Sequence, residues 1–181
     1  MNKLVRSAIF VLLAAATGAA TTVIPMSLEE LARAASHVVE GRALNSWSAW
    51  NSQHTLIYTY TSFQISRSLK GGAVQTITIK QLGGTADGLT QKVAGVRRFQ
   101  AGEDALLFLR PSVAGDGTLV VVGLMQGHFR MARAASGETV VSNGVYGANQ
   151  VERQSGKIST FTGLPVRLSE AESRIRKAVL Q

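Results

Sequence analysis

Apolar residues in the middle of the chain alternate with polar ones or form short continuous runs, and this pattern predicts β-strands. Strands are predicted at residues 37–44, 55–68, 74–82, 104–110, 118–124, 128–133 and 138–142. Two stretches, 105–109 and 119–122, are continuously apolar, so we expect them to form the most central strands. The regular spacing of five to seven short strands predicts a mainly β fold, an antiparallel barrel or sandwich.

Helical signals flank the strand region. Ser27 and Glu30 have the spacing of a capping box, in which each side chain bonds to the other residue's backbone N–H, so a short helix is predicted at about 28–35. Ser169 begins the same spacing near the other end and predicts a helix at about 170–180. The stretch before this second helix is polar and contains glycine, so we expect an irregular segment there.

The beginning of the chain has the three-part layout of a secretory signal peptide. Lys3 and Arg6 carry positive charge, residues 8–16 are apolar, and small residues lead to Ala19 and Ala20. The apolar run is shorter than the about 20 residues that a membrane-spanning helix needs. We predict cleavage near Ala19 or Ala20 and a periplasmic or secreted bacterial protein, with an uncleaved anchor as the alternative. No later segment is apolar enough to span a membrane, so none is expected in the mature chain.

Composition narrows the range of possible functions. The chain has 181 residues, of which 45% are hydrophobic and 17% are charged, which is typical of one globular domain. Cysteine is absent, which excludes a disulfide scaffold, a cysteine-ligated metal and a thiol nucleophile. We divide the chain into a signal peptide (1–20), a β-barrel domain with a short N-terminal helix (21–142), and an irregular segment with a C-terminal helix (143–181).

Sequence motifs for catalysis are missing, so we predict that the protein is not an enzyme. No nucleophile elbow, zinc-protease motif or phosphate loop occurs. His37, His54 and His128 lack the spacing of metal ligands, so no metal site and no cofactor is predicted. Glu103 and Asp104 are interpreted as a polar turn entering a central strand. A hydrolase whose site is assembled only in the folded chain is the alternative, because triad residues need not be neighbours in sequence.

Trp47 and Trp50 are the candidate residues for contact with a protein partner. They lie in a stretch rich in serine and asparagine between the first two predicted strands, so a loop is predicted there. Exposed tryptophans often anchor protein interfaces. The alternative is that the two side chains close one end of the barrel.

An excess of positive charge suggests a second kind of partner. The formal net charge is +8 and the pI is about 10.5, which would attract polyanions such as an envelope surface or extracellular nucleic acid. A stacking platform for a single strand is not favoured, since a period of two puts Phe63 on the face opposite Tyr58 and Tyr60. The candidate polyanion contacts are the arginines Arg97, Arg98 and Arg130.

Three short motifs occur in a fixed order along residues 34–109. They read Ala-Ala-Ser-His-Val-Val-Glu-Gly-Arg-Ala from residue 34, Ser-Leu-Lys-Gly from residue 68, and Phe-Gln-Ala-Gly-Glu-Asp-Ala-Leu-Leu-Phe-Leu from residue 99. The ordered set resembles the layout of netrin-like domains, a family that includes tissue inhibitors of metalloproteases. Cysteine-free secreted bacterial proteins of uncharacterised function resemble it too, and continue with a motif like the one at 121–130.

The resemblance implies an antiparallel OB-like β-barrel of five to seven strands, and contacts with other macromolecules. The inhibitors chelate the zinc of their target with an N-terminal, disulfide-bonded cysteine. Because this chain has no cysteine, the resemblance implies no inhibitory chemistry for any of its residues.

These observations predict a non-catalytic exported β-barrel domain that binds a macromolecular partner. A protein is the first candidate, and a secreted metalloprotease is the class that the resemblance suggests. The two alternatives are a basic module that binds polyanions or envelope glycans, and a hydrolase with a spatially assembled site.

Overall fold

The computed structural model describes residues 22–93, 95–143, 149–151, 158–160 and 165–181. It confirms a mainly β fold, with 48% of residues in strands, flanked by helices. The helices are α1 (Leu28–Ala34) and α2 (Leu168–Val179). The strands are β1 (Thr22–Val23), β2 (His37–Trp50), β3 (Ile57–Lys70), β4 (Thr76–Leu82), β5 (Gly84–Ala86), β6 (Leu89–Gln91), β7 (Asp104–Pro111), β8 (Leu119–Val121), β9 (His128–Arg133), β10 (Thr139–Asn143), β11 (Asn149–Val151), β12 (Ile158–Thr160) and β13 (Val166–Arg167).

Five strands of the largest sheet pair in a ring. The sheet has the order β13-β10-β9-β7-β2-β3-β4-β8, and β8 also pairs with β7. Neighbours in the ring β2-β3-β4-β8-β7 are antiparallel except for β4 and β8, which are parallel. These last two strands meet at a single pair of residues, Ile79 and Leu119. The ring is therefore closed at one point by very little strand pairing.

An inner core fills the ring. Side chains of β3 alternate between buried and half-buried, so Phe63 is fully buried whereas Tyr58 and Tyr60 face outward. This confirms the predicted alternation along the strand. The inner core consists of Val39, Ala43, Phe63, Ile77, Ile79, Phe99, Ala105, Leu107 and Leu109.

An outer core lies between the sheet and the two helices. It uses the opposite face of β7, because Leu106 and Phe108 alternate with the residues that enter the ring. Helix α1 contributes Leu31 and helix α2 contributes Ile175, both fully buried. The two helices therefore cover one side of the sheet.

The capping box of α1 is present as predicted. The backbone N–H of Glu30 donates to Ser27 Oγ at 3.2 Å, and the backbone N–H of Ser27 donates to Glu30 Oε2 at 2.8 Å. These reciprocal bonds satisfy two of the backbone donors that a helix leaves free at its N-terminus.

The capping box predicted for α2 is wrong. The helix begins at Leu168, so Ser169 lies inside its first turn, and no side chain caps it. The carboxylate of Glu172 instead accepts hydrogen bonds from Arg67 on β3 and from Arg176, each at 2.7 Å. The side chain of Glu172 therefore binds two arginines instead of the backbone N–H of Ser169.

The expectation that residues 119–122 form a central strand is also wrong. β8 has only three residues, all half-buried, and it ends where the backbone N–H of Val122 turns to donate to Phe108 O. β7 is the central strand, with β2 along one edge and β9 and β8 along the other. The apolar run at 119–122 thus belongs to the short strand that closes the ring. It does not have a neighbouring strand on both sides along its whole length.

Some predictions fall partly or wholly outside the described residues. The signal peptide at 1–20 lies outside them. Within the stretch expected to be irregular, β11 and β12 pair with each other and β1 pairs with β11, so those parts form a small sheet instead. In the part of the chain that the structure describes, no helix is long and apolar enough to cross a membrane.

Candidate functional site

The outward side of β2, β3 and β4 carries a row of aromatic and basic side chains. Trp47 is paired with Tyr60 across β2 and β3, and Tyr60 is paired with Lys80 across β3 and β4. The Trp47 and Tyr60 rings stack with centroids 5.5 Å apart, and Trp47 is 45% exposed. We call this surface, formed by Trp47, Tyr58, Tyr60 and Lys80, the aromatic face.

Lys80 joins the aromatic face to the loop between β7 and β8. Its Nζ lies 4.4 Å from the ring centroid of Tyr58 and 5.7 Å from that of Tyr60, within the range of cation–π attraction. The same Nζ donates to Asp116 Oδ2 at 2.7 Å, which raises the pKa of Lys80 and lowers that of Asp116. Because Asp116 neutralises the lysine, the aromatic face presents rings rather than free charge.

The prediction that Trp47 and Trp50 lie in a loop is wrong, because both belong to β2. The serines that suggest a loop, Ser46 and Ser48, pair their hydroxyls with threonine hydroxyls of β3 at 2.7 and 2.9 Å. The polar residues thus stabilise a cross-strand pair rather than interrupt it.

The two tryptophans face opposite sides of their strand. Trp47 faces outward, whereas Trp50 is half-buried, stacks on His54 at 5.6 Å and donates from Nε1 to Asp87 Oδ2 at 3.0 Å. Trp50 therefore ties the end of the β2–β3 hairpin to the turn between β5 and β6. Trp47 is therefore the exposed member of the two, and Trp50 packs at the end of the hairpin.

A groove of about 470 Å³ continues from the aromatic face. It shares Tyr58 and Lys80 with that face and runs between β4 and β8. We call it the seam groove, and its lining is mostly apolar: Tyr58, Lys80, Gln81, Leu82, Val96, Arg110, Ser112, Val113, Ala114, Val120, Val121, Gly123 and Leu124.

The arginines singled out in the sequence do not share one surface role. Arg97 is turned towards Glu103, with Nη2 3.4 Å from Oε1, and Arg98 donates from Nη2 to the Leu82 carbonyl at 3.2 Å. Burial lowers the pKa of Arg98, whose Nη1 is buried without a hydrogen-bond partner. Arg130 is exposed on β9. Two of the three are thus engaged in contacts within the fold.

Glu103, which forms an ion pair with Arg97, is buried together with His128. Glu103 Oε1 lies 3.0 Å from Nε2 of His128, and both side chains are 2% exposed. Burial raises the pKa of Glu103, but the bond to His128 and the charge of Arg97 outweigh it, so the pKa lies below its usual 4.5. Burial lowers the pKa of His128 below 6.5. At neutral pH, a neutral imidazole therefore donates to an ionised carboxylate.

The surroundings of this pair indicate a structural role. The His128 ring packs against Phe99 with centroids 4.4 Å apart, and Glu103 also accepts from the backbone N–H of Gln100 at 3.3 Å. His37 is instead beside Ser36, and His54 stacks on Trp50. Across the described ranges, no three histidine, aspartate or glutamate side chains are grouped as metal ligands.

No family model matches the chain, and no curated protein is significantly similar to it.

Sequence reasoning missed the Glu103–His128 pair and the seam groove. The pair joins residues 25 positions apart, and nothing in the local pattern signals that they meet. The seam groove forms where β4 and β8 separate, and this separation is seen only once the strands of the ring are assembled. The alternation of β3, by contrast, did signal that Tyr58 and Tyr60 share one face and that Phe63 lies on the other.

Proposed function

We propose that the chain is an exported, non-catalytic binding domain with an OB-like barrel, and that it contacts a protein partner through the aromatic face. The ring order β2-β3-β4-β8-β7 supports the OB-like assignment, since OB-folds are five-stranded, partly open barrels. OB-folds bind their ligands on the second and third strands, which correspond here to β3 and β4.

The exposure of Trp47 is the observation that carries the proposal. A tryptophan that is 45% exposed and held by stacking on a second ring loses little conformational freedom when a partner covers it. Further apolar side chains lie exposed along the seam groove, with Val113 96% and Leu124 47% exposed. Large exposed apolar patches mark interaction sites on soluble proteins.

A protein is favoured over a polyanion because of where the charges lie. Lys80 is neutralised by Asp116, and Arg97 and Arg98 make contacts within the fold. A polyanion would need several free cations beside the rings. A secreted metalloprotease is the partner class that the netrin-like resemblance suggests, although chelation of its zinc by a cysteine is not part of the proposal.

The test uses the mature chain and two variants of it. Wild type, Trp47→Ala and Leu180→Ala are immobilised and exposed to periplasmic and secreted extracts of the native host, and the retained proteins are quantified by mass spectrometry. Leu180, which follows helix α2, is 87% exposed. Leu180→Ala is therefore the control, since it also removes an exposed apolar side chain but not one of the aromatic face. A protein retained by wild type and Leu180→Ala, but lost with Trp47→Ala, is then purified and titrated by calorimetry.

We expect Trp47→Ala to weaken binding about thirtyfold, as for an interface residue whose removal costs about 2 kcal/mol. Unfolding curves of the three proteins show whether each is folded before it is used. The proposal is wrong if no protein distinguishes the two variants, or if the material that depends on Trp47 is a glycan or a nucleic acid.

A further inference from the structure

The seam groove passes between two strands rather than over a continuous sheet. Gln81 follows the inward-facing Ile79 by two positions, and Val121 packs against the inner core, so both point into the ring. Lys80 and Val120 are their neighbours in sequence and point outward. All of these residues except Ile79 line the same groove. The strands β4 and β8 must therefore be apart where the groove lies.

The opening leaves part of a strand edge without a neighbour. β4 pairs with β8 only at Ile79, so Lys80, Gln81 and Leu82 have no strand on that side among the described residues. Arg98 bonds to the carbonyl of Leu82 and closes the far end of this edge. A free edge of this kind can accept an additional extended chain, which pairs through its backbone.

One cation at the groove is free to bind an anion. Arg110 is exposed at the end of β7, and no hydrogen bond or ion pair is found for it among the described residues. The other cation of the groove, Lys80, is already bound to Asp116. Leu82, Val120 and Leu124 line the same groove and add apolar surface. The groove thus combines a backbone edge, apolar surface and one positive charge.

We propose that the seam groove binds an extended acidic peptide segment, in which apolar residues alternate with carboxylates. The backbone of the segment pairs with the edge of β4 at residues 80–82, a carboxylate binds Arg110, and apolar side chains pack on Leu82 and Val120. The inference rests on the proposed function, because it gives the chemistry of the segment that the protein partner presents. A peptide fits better than a small apolar anion because it supplies both the backbone donor and the carboxylate in one extended chain.

The test uses short synthetic peptides as probes. The first is an acetylated and amidated pentapeptide with the sequence Val-Glu-Val-Glu-Val, the second replaces both glutamates with lysine, and the third carries N-methyl groups that remove its central backbone donors. Each is titrated into the mature chain, and backbone amide NMR shifts of Leu82 and Val120 report occupancy of the groove.

We expect the glutamate peptide to shift the groove amides, and the lysine and N-methylated peptides to bind at least tenfold more weakly. Arg110→Ala should weaken the glutamate peptide about tenfold, because it removes the charged partner of a carboxylate. Lys177→Ala, which removes an exposed charge from α2, is the control for net charge and should leave the affinity unchanged.

Three results would overturn the inference. One is a glutamate peptide that causes no shift in the groove at millimolar concentration. Another is a lysine peptide that binds equally well, and the third is an equal effect of Arg110→Ala and Lys177→Ala. A partner that needs Trp47 but is indifferent to Arg110→Ala and is not displaced by the peptide would leave the proposed function intact and remove only this inference.

Discussion

At the scale of single residues, Glu103 and His128 form a polar pair buried in the fold. Both side chains are almost fully buried, and Arg97 supplies the positive charge that offsets the carboxylate. Removing one member of a buried pair leaves the other without a partner in a medium that solvates charge poorly. The neutral imidazole therefore matters chiefly as a hydrogen-bond donor to Glu103.

His128→Phe should lower the free energy of unfolding at pH 7 by about 3–5 kcal/mol, because it keeps a ring against Phe99 but leaves the carboxylate without its donor. His128→Gln keeps an N–H donor and should cost about 1 kcal/mol. Urea unfolding of both variants measures the difference. Equal losses would show that the ring packing, and not the bond to Glu103, is what matters.

At the scale of elements, helix α2 is attached to the sheet through a cluster of charged residues. Glu172 accepts hydrogen bonds from Arg67 and Arg176, and Glu40 on β2 lies behind it. Glu40 Oε1 is buried without a hydrogen-bond partner, 4.0 Å from Arg67. Burial, and then the negative charge of Glu172, raise the pKa of Glu40. The attachment of the helix therefore contains one unfavourable charge.

Glu40→Gln should raise the free energy of unfolding at pH 7 by about 1 kcal/mol, since it removes a buried charge but keeps the shape of the side chain. The folded-state pKa of Glu40 is above 4.5, so the native state binds more protons than the unfolded state between the two values, and wild-type stability falls as pH rises through that window. The gain from the substitution should therefore vanish below pH 4.5.

Urea unfolding at a series of pH values measures this effect. Glu138→Gln is the matched control, because Glu138 is a half-exposed carboxylate paired with Arg167 on the same sheet. A loss of stability in Glu40→Gln at every pH would show that the charge of Glu40 holds the helix in place.

At the scale of the whole molecule, the largest sheet and the two helices form one packed unit. Ala171, Ile175 and Ala178 of α2 belong to the same outer core as Leu31 of α1 and Val141 of β10. The bidentate contact of Arg174 with Glu29 joins the two helices at their surface. A shared core couples the helices to the ring, since β7 contributes side chains to both cores.

Ile175→Ala should lower the free energy of unfolding by about 2–5 kcal/mol through the cavity it leaves. The diagnostic measurement is tryptophan fluorescence during thermal unfolding, because Trp47 and Trp50 lie in the β2–β3 hairpin and not in the outer core. If the molecule is one packed unit, Ile175→Ala should shift the fluorescence transition to lower temperature by as much as the transition followed by far-UV circular dichroism. Leu180→Ala should move neither, and a fluorescence transition unchanged in Ile175→Ala would contradict the coupling.

The sequence was informative where a local pattern decides the outcome. The capping box at Ser27 and the alternation along β3 depend on neighbouring residues, and both were predicted. The loop at Trp47 was mispredicted because the serines beside it satisfy their hydroxyls across the hairpin, which no local pattern reveals. The second capping box failed because Arg67, a hundred positions away in sequence, binds Glu172.

The candidate site was predictable only in part for the same reason. Trp47 was identified from its residue type, and the shared face of Tyr58 and Tyr60 from their period, whereas which face points outward came from the structure. The seam groove depends on where two strands diverge after one shared pair of residues. Such features follow from closure of the ring and have no signature along a single segment.

The ring closes between β4 and β8 through one pair of residues, Ile79 and Leu119. One residue pair contributes few backbone hydrogen bonds, so this join depends mainly on the packing of Ile79 and Leu119 in the inner core. It is the part of the ring that strand pairing holds least. If the seam groove binds a peptide as proposed, the peptide would enter from the side of the ring, so a segment from the middle of a long polypeptide would fit without a free end.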